Sequence, residues 1–198
     1  MDDTELEALE RELPGLARLS RFARSLDRIP WFANIGEGLT PGAKAAADDY
    51  CAGLGFPDAE IAMLLDWEDA AAVAESLDWQ SPAWEAEESL RADLTGRALD
   101  LLSEDALRIG MALIAEKVSE PAKDAVEELS YLSDLDDEQI KTLCVGAAVQ
   151  AANGAALALI AAADTDFEAE NHPLAAKFRL FEFGRWPVSI TGSSFNLF

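Results

Sequence analysis

Histidine occurs once and cysteine twice in this 198-residue chain, and basic side chains are scarce: 15 Lys and Arg stand against 38 Asp and Glu, a formal net charge of −23. One histidine excludes zincin motifs, paired Glu-x-x-His motifs and any three-histidine zinc site. Two cysteines, Cys51 and Cys144, make neither a disulfide framework nor a zinc knuckle, and their helical contexts read as inert core thiols. The shortage of Lys and Arg excludes nucleic acid as a partner, since phosphate binding needs clustered cations and this field repels it. Alternation of β-branched residues is missing before Gly184, which removes the usual signal for strands. The opening residues, MDDTELEALERELPG, lack a basic region followed by an apolar one, so no signal peptide is expected and the protein reads as cytoplasmic.

What is present is helix-forming sequence. Half of the residues are apolar, led by alanine and leucine, with glutamate between them. Thr40-Pro41 and Ser81-Pro82 each set a capping hydroxyl before a proline at the first helical position. Pro57-Asp58 and Pro121 read as further helix starts, and Gly53 and Gly55 as a stop. Thr142–Ala163 carries no charge over 22 residues, long enough for a membrane span. Ten of those residues are alanine and only six are Leu, Ile or Val, too weakly apolar for a bilayer, so the segment reads as a buried core helix. Within it Ala147, Ala151, Ala155, Ala158 and Ala162 form a small-residue seam for another helix or a second copy, while Gln150 and Asn153 need partners or the wall of a pocket.

The expected fold is all-α: a single bundle-like domain of about eight helices around this uncharged helix, followed by an extended C-terminal arm. Residues 1–40 form an N-terminal helical segment and linker, 41–183 the helical core, and 184–198 the arm. The arm ends in Phe195, Leu197 and Phe198, and burying them means folding back on its own helices or exchanging into a neighbour.

Candidate sites are few. Arg18, Arg21, Arg24 and Arg28 fall opposite the apolar face of a helix over Gly15–Ile29, a stripe that pairs with the acidic body or stays solvated, or else a surface for an acidic partner. Asn171, His172, Arg179, Arg185 and Trp186 lie in a locally basic stretch that could gather into an anion pocket. Leu54–Leu77 has the outline of a helix-turn-helix, but Glu68–Asp78 carries no basic residue to meet phosphate or guanine. The acidic clusters at 134–138 and 164–170 fail as calcium loops, with Val145 and Ala175 where a bidentate glutamate belongs. Trp67, Trp79 and Trp84 read as packing anchors rather than a ligand cage. Twelve acidic residues and no basic one lie between Ala45 and Leu90.

The blocks DRIPWFANIGEGLTP, KFRLFEFGRW and GRWP…GSSFNLF resemble an uncharacterised bacterial family of all-helical acidic proteins, a likeness that implies no activity and no site residues. The functional expectation is therefore a non-enzymatic acidic module that meets a basic protein surface, with homo-oligomers admitted and DNA mimicry as a sub-case. Its rival is a binder of a small anionic ligand, or an enzyme, built on the C-terminal basic stretch. No cofactor, metal, nucleic acid or membrane partner is expected.

Overall fold

The computed structural model describes residues 14–133, 137–164 and 168–198. Among them are seven helices: α1 (Pro14–Ser25), α2 (Pro41–Gly53), α3 (Trp67–Glu75), α4 (Pro82–Leu101), α5 (Glu104–Ser133), α6 (Glu138–Ala161) and α7 (Pro173–Glu182). Short 3-10 turns follow α1 and α6 and precede α7. Local chemistry sets most of the starts. Thr40 Oγ1 accepts from the Ala43 amide at 3.2 Å ahead of α2, and Ser81 Oγ from that of Trp84 at 3.3 Å ahead of α4. Asp66 and Asp137 do the same for α3 and α6, satisfying first-turn amides that have no intrahelical acceptor.

Helix α6, uncharged from Thr142 on, is the pillar, packed chiefly on α5 and then on α7, α4 and α1. It is long and apolar enough to cross a membrane by length and composition, and just over half of its most apolar stretch is buried inside the chain. Ala151, Ala155, Ala158 and Ala162 of the alanine seam are buried, and Ala147 is half-buried. Helix α7 has two apolar faces. Leu174, Phe178 and Phe181 join the main core around α6, whereas Ala176 and Leu180 join a second cluster with Tyr50, Phe195 and Leu197. Gly53 lets α2 end against α7, because a Cβ there would sit 2.1 Å from Pro173 Cγ.

The fold is not purely all-α. Strands β1 (Glu60–Met63), β2 (Pro187–Thr191) and β3 (Ser194–Leu197) form a small mixed sheet in the order β1-β3-β2. β3 runs parallel to β1, with Ile61 beside Phe195, and antiparallel to β2, with Ile190 beside Phe195. A tight turn through Gly192 at φ +60° joins β2 to β3, a conformation that glycine adopts without steric cost. The helix-turn-helix outline over Leu54–Leu77 is thereby corrected to a strand followed by a helix. In Glu60-Ile61-Ala62-Met63 only Ile61 favours a strand, and pairing with the backbone of β3 decides the conformation. Neither Pro57-Asp58 nor Pro121 starts a helix: the first lies in the turn before β1, the second inside the 30-residue α5. The C-terminal arm is the β2–β3 hairpin, folded on its own chain, with Phe195, Leu197 and Phe198 at most 2% exposed.

Candidate functional site

Between the edge of the sheet and the flanks of α4 and α6 lies a cleft of about 650 Å³. It is lined without a break by Trp186–Gly192. Successive strand residues point to opposite faces, so a continuous run of seven means the cleft follows the outer edge of β2 rather than one face of the sheet. Its walls are largely apolar and aromatic: Phe56, Leu77, Trp79 and Trp84 on one side, Leu143 and Ala147 of α6 on another. Gln150, which with Asn153 is one of the two amides in the middle of α6, lines the same space.

Tyr50, Glu87 and Lys177 form its buried floor. Lys177 Nζ donates to Glu87 Oε1 at 2.9 Å and to Oε2 at 2.8 Å. The Tyr50 hydroxyl donates to Oε2 at 2.6 Å, and Arg91 Nη2 donates to Oε1 at 2.8 Å. Arg91 also pairs with Glu88, so the four charges sum to zero. Burial pushes the Glu87 carboxyl upward, but the Lys177 ammonium, the Lys177 and Tyr50 hydrogen bonds and the Arg91 charge outweigh it and hold the group below its ordinary value. Burial, followed by the adjacent Glu87 charge, holds the Tyr50 phenol protonated well above its usual range. A carboxylate that already accepts four hydrogen bonds and has a lowered pKa is a poor general base, and a phenol held neutral is a poor acid. The cluster is a fixed electrostatic anchor. An ammonium carries three donors, and no acceptor for a third appears on Lys177 among the described residues.

The residues singled out in the C-terminal stretch go to separate places. His172 caps α7, its Nδ1 accepting from the Leu174 amide at 3.1 Å. Desolvation, helped by the Arg97 charge, keeps it below its ordinary pKa. Asn171 donates to Glu168 Oε2 at 2.5 Å, and Arg179 to Asp49 at 3.1 Å. Arg185, 1% exposed, donates to the carbonyls of Glu37 and Gly38 at 2.8 and 2.6 Å, holding the segment between α1 and α2 against the start of the hairpin. Of the five, only Trp186 borders the cleft. Arg21, Arg24 and Arg28 are exposed and Arg18 half-buried, opposite the buried Ala17, Leu19, Ala23 and Leu26.

Sequence reasoning missed the floor because its members lie 37 and 90 positions apart. One sign was available. Lys177 falls on the same helical stripe as Leu174, Phe178 and Phe181, and a lysine inside an apolar stripe calls for a buried partner. Trp79, expected to anchor packing, is 54% exposed. A second cavity, about 400 Å³ between α5 and α6, has its charges matched locally, Lys123 to Glu127 and Lys141 to Glu138. Among the described residues no group of three or more His, Cys, Asp or Glu is placed to hold a metal. Compared with known proteins, the chain matches no family model, no curated protein and no solved structure.

Proposed function

We propose that this chain is a non-enzymatic binding protein whose cleft between β2, α4 and α6 takes a small, mostly apolar molecule. One observation carries the reading: a cleft of about 650 Å³, walled by aromatic and aliphatic side chains, whose buried ionised groups already neutralise one another. Clefts of this size with a few fixed polar groups are the usual form of a small-molecule site. The neutral floor favours an uncharged body over the anionic ligand that the tail residues suggested. Titration of the protein with Nile red, a neutral apolar dye, tests it. Uptake is expected in the wild type and is weakened at least ~tenfold, about 1.4 kcal/mol, in Ala147→Phe, which fills the cleft from α6. Absence of uptake by the wild type overturns the proposal.

A second reading, in which a cytoplasmic acidic module meets a basic protein surface, is favoured by where the charge lies. Every acidic residue between Ala45 and Leu90 except Glu87 and Glu88 is exposed. Among the described residues, only Asp48 and Asp49 of that exposed set form ion pairs, with Lys44 and Arg179. Capture of a basic protein that is released steeply by salt supports this reading, and capture unaffected by salt contradicts it.

A further inference from the structure

The mouth of the cleft differs from its floor. Trp79 lies in the connection between α3 and α4 and leaves 54% of its surface in solvent, unusual for a side chain that generally buries most of its large apolar area. Its ring meets that of Trp84 edge to face, at 89° with centroids 4.7 Å apart, so the two indole planes form a right-angled corner beside their contact. Both line the cleft, as does Asp78. Asp78 Oδ1 accepts from the Gln80 amide at 2.9 Å, which ties the carboxylate to the connection that carries Trp79, and among the described residues no cation pairs with it. The connection is fixed at its far end by the Ser81 cap of α4.

We infer that this corner is a site for an organic cation, an alkylammonium or guanidinium group seated against Trp79 and Trp84 with Asp78 as its counter-charge. The inference rests on the cleft reading and supplies the chemical class of its ligand: an apolar body in the cleft with a cationic head at the mouth. Indole faces are electron-rich and attract cations held within about 6 Å of the ring centroid. The molecule's net charge of −23 draws cations toward any such concavity and repels anions. The two local cations do not oppose binding, because Lys177 and Arg91 are held by Glu87 and Glu88. A free organic amine and a basic side chain of a protein share this chemistry.

Isothermal titration calorimetry on the full chain separates the cases. The probes are choline, its neutral isostere 3,3-dimethylbutan-1-ol, and a capped tetra-arginine peptide. A cation is expected to bind at least ~tenfold more tightly than the neutral isostere, to lose binding in Trp79→Ala, to regain part of it in Trp79→Phe and to weaken several-fold in Asp78→Asn. Tighter binding of choline identifies a free amine as the source. Tighter binding of the peptide, retained at about 0.15 M salt, identifies a basic segment. Equal binding of the isostere, or full binding by Trp79→Ala, overturns the inference. If Nile red enters the cleft while neither cation binds, the cation site falls and the cleft reading stands; if the dye also fails, both fall. Trp79 is solvent-exposed, so Trp79→Ala is expected to melt with the wild type, and Asp78→Asn decides the matter should it not.

Discussion

Without its carboxylate, Glu87 would leave the Lys177 ammonium buried beside a phenol with nothing to offset the charge. Glu87→Gln is expected to cost about 3–5 kcal/mol in urea denaturation, and Lys177→Met in the same chain to recover much of the loss. The pH dependence follows from the lowered carboxyl. Because the unfolded chain takes up the proton first, the stability contributed by Glu87 is complete above the ordinary carboxylate range. It is lost as pH falls through the depressed folded value. Stability against pH below about 4.5 should therefore be flatter in the doubly substituted chain than in the wild type. His172 works in the same direction at higher pH. Burial lowers its folded pKa, so its contribution is complete above about pH 6.5 and declines below that, because the unfolded chain takes up the proton first. His172→Asn is expected to keep the cap and remove that decline in thermal melts between pH 5 and 7. Arg185 is structural. Losing two buried charge-assisted hydrogen bonds should lower stability by about 2–4 kcal/mol in Arg185→Ala.

At the scale of elements, the helices were legible because their starts are local chemistry. Thr40-Pro41, Ser81-Pro82 and the acidic residues before α6 need nothing beyond their own neighbours to act as caps. The uncharged central helix was legible from composition alone. β1 was not: Glu, Ala and Met are helix formers, and only register with Ser194–Leu197 makes them a strand. Pro121 misled for a related reason, since α5 continues through it and the break lies earlier, at Leu102-Ser103. The tail residues misled because guanidinium groups that looked free in sequence serve backbone carbonyls and a carboxylate. Close contacts between elements give a paired test. Gly53→Ala drives a methyl into the rigid ring of Pro173 and is expected to cost about 1–3 kcal/mol. Gly96→Ala in the middle of α4, where nothing lies within 4 Å, should stabilise by about 0.5–1 kcal/mol. Chemical denaturation of the two variants side by side reads both signs.

At the scale of the whole molecule, the alanine seam and the apolar tail are both consumed inside one chain. Ala151, Ala155, Ala158 and Ala162 are covered by the protein's own elements, as are Phe195, Leu197 and Phe198. Deleting Phe195–Phe198 should therefore abolish the cooperative melting transition rather than dissociate an oligomer, since it removes the central strand and the partner of β1. A truncated chain that melts like the wild type would contradict this.

That central strand also sets a timetable for synthesis. Ile61 and its partner Phe195 lie roughly 130 positions apart, and a ribosome adding about 5–20 residues per second takes on the order of ten seconds to cover that distance. Throughout that interval the nascent β1 segment has no strand to pair with, while α2 lacks the covering of α7. The helices can form as they emerge, but the cleft and its ion pair cannot, because Lys177 follows its partner Glu87 by 90 positions and β2 follows later still. The binding site is thus completed late, once Lys177 and β2 are available, and nascent-chain proteolysis should find protection of Tyr50 and Glu87 only after the hairpin has left the exit tunnel.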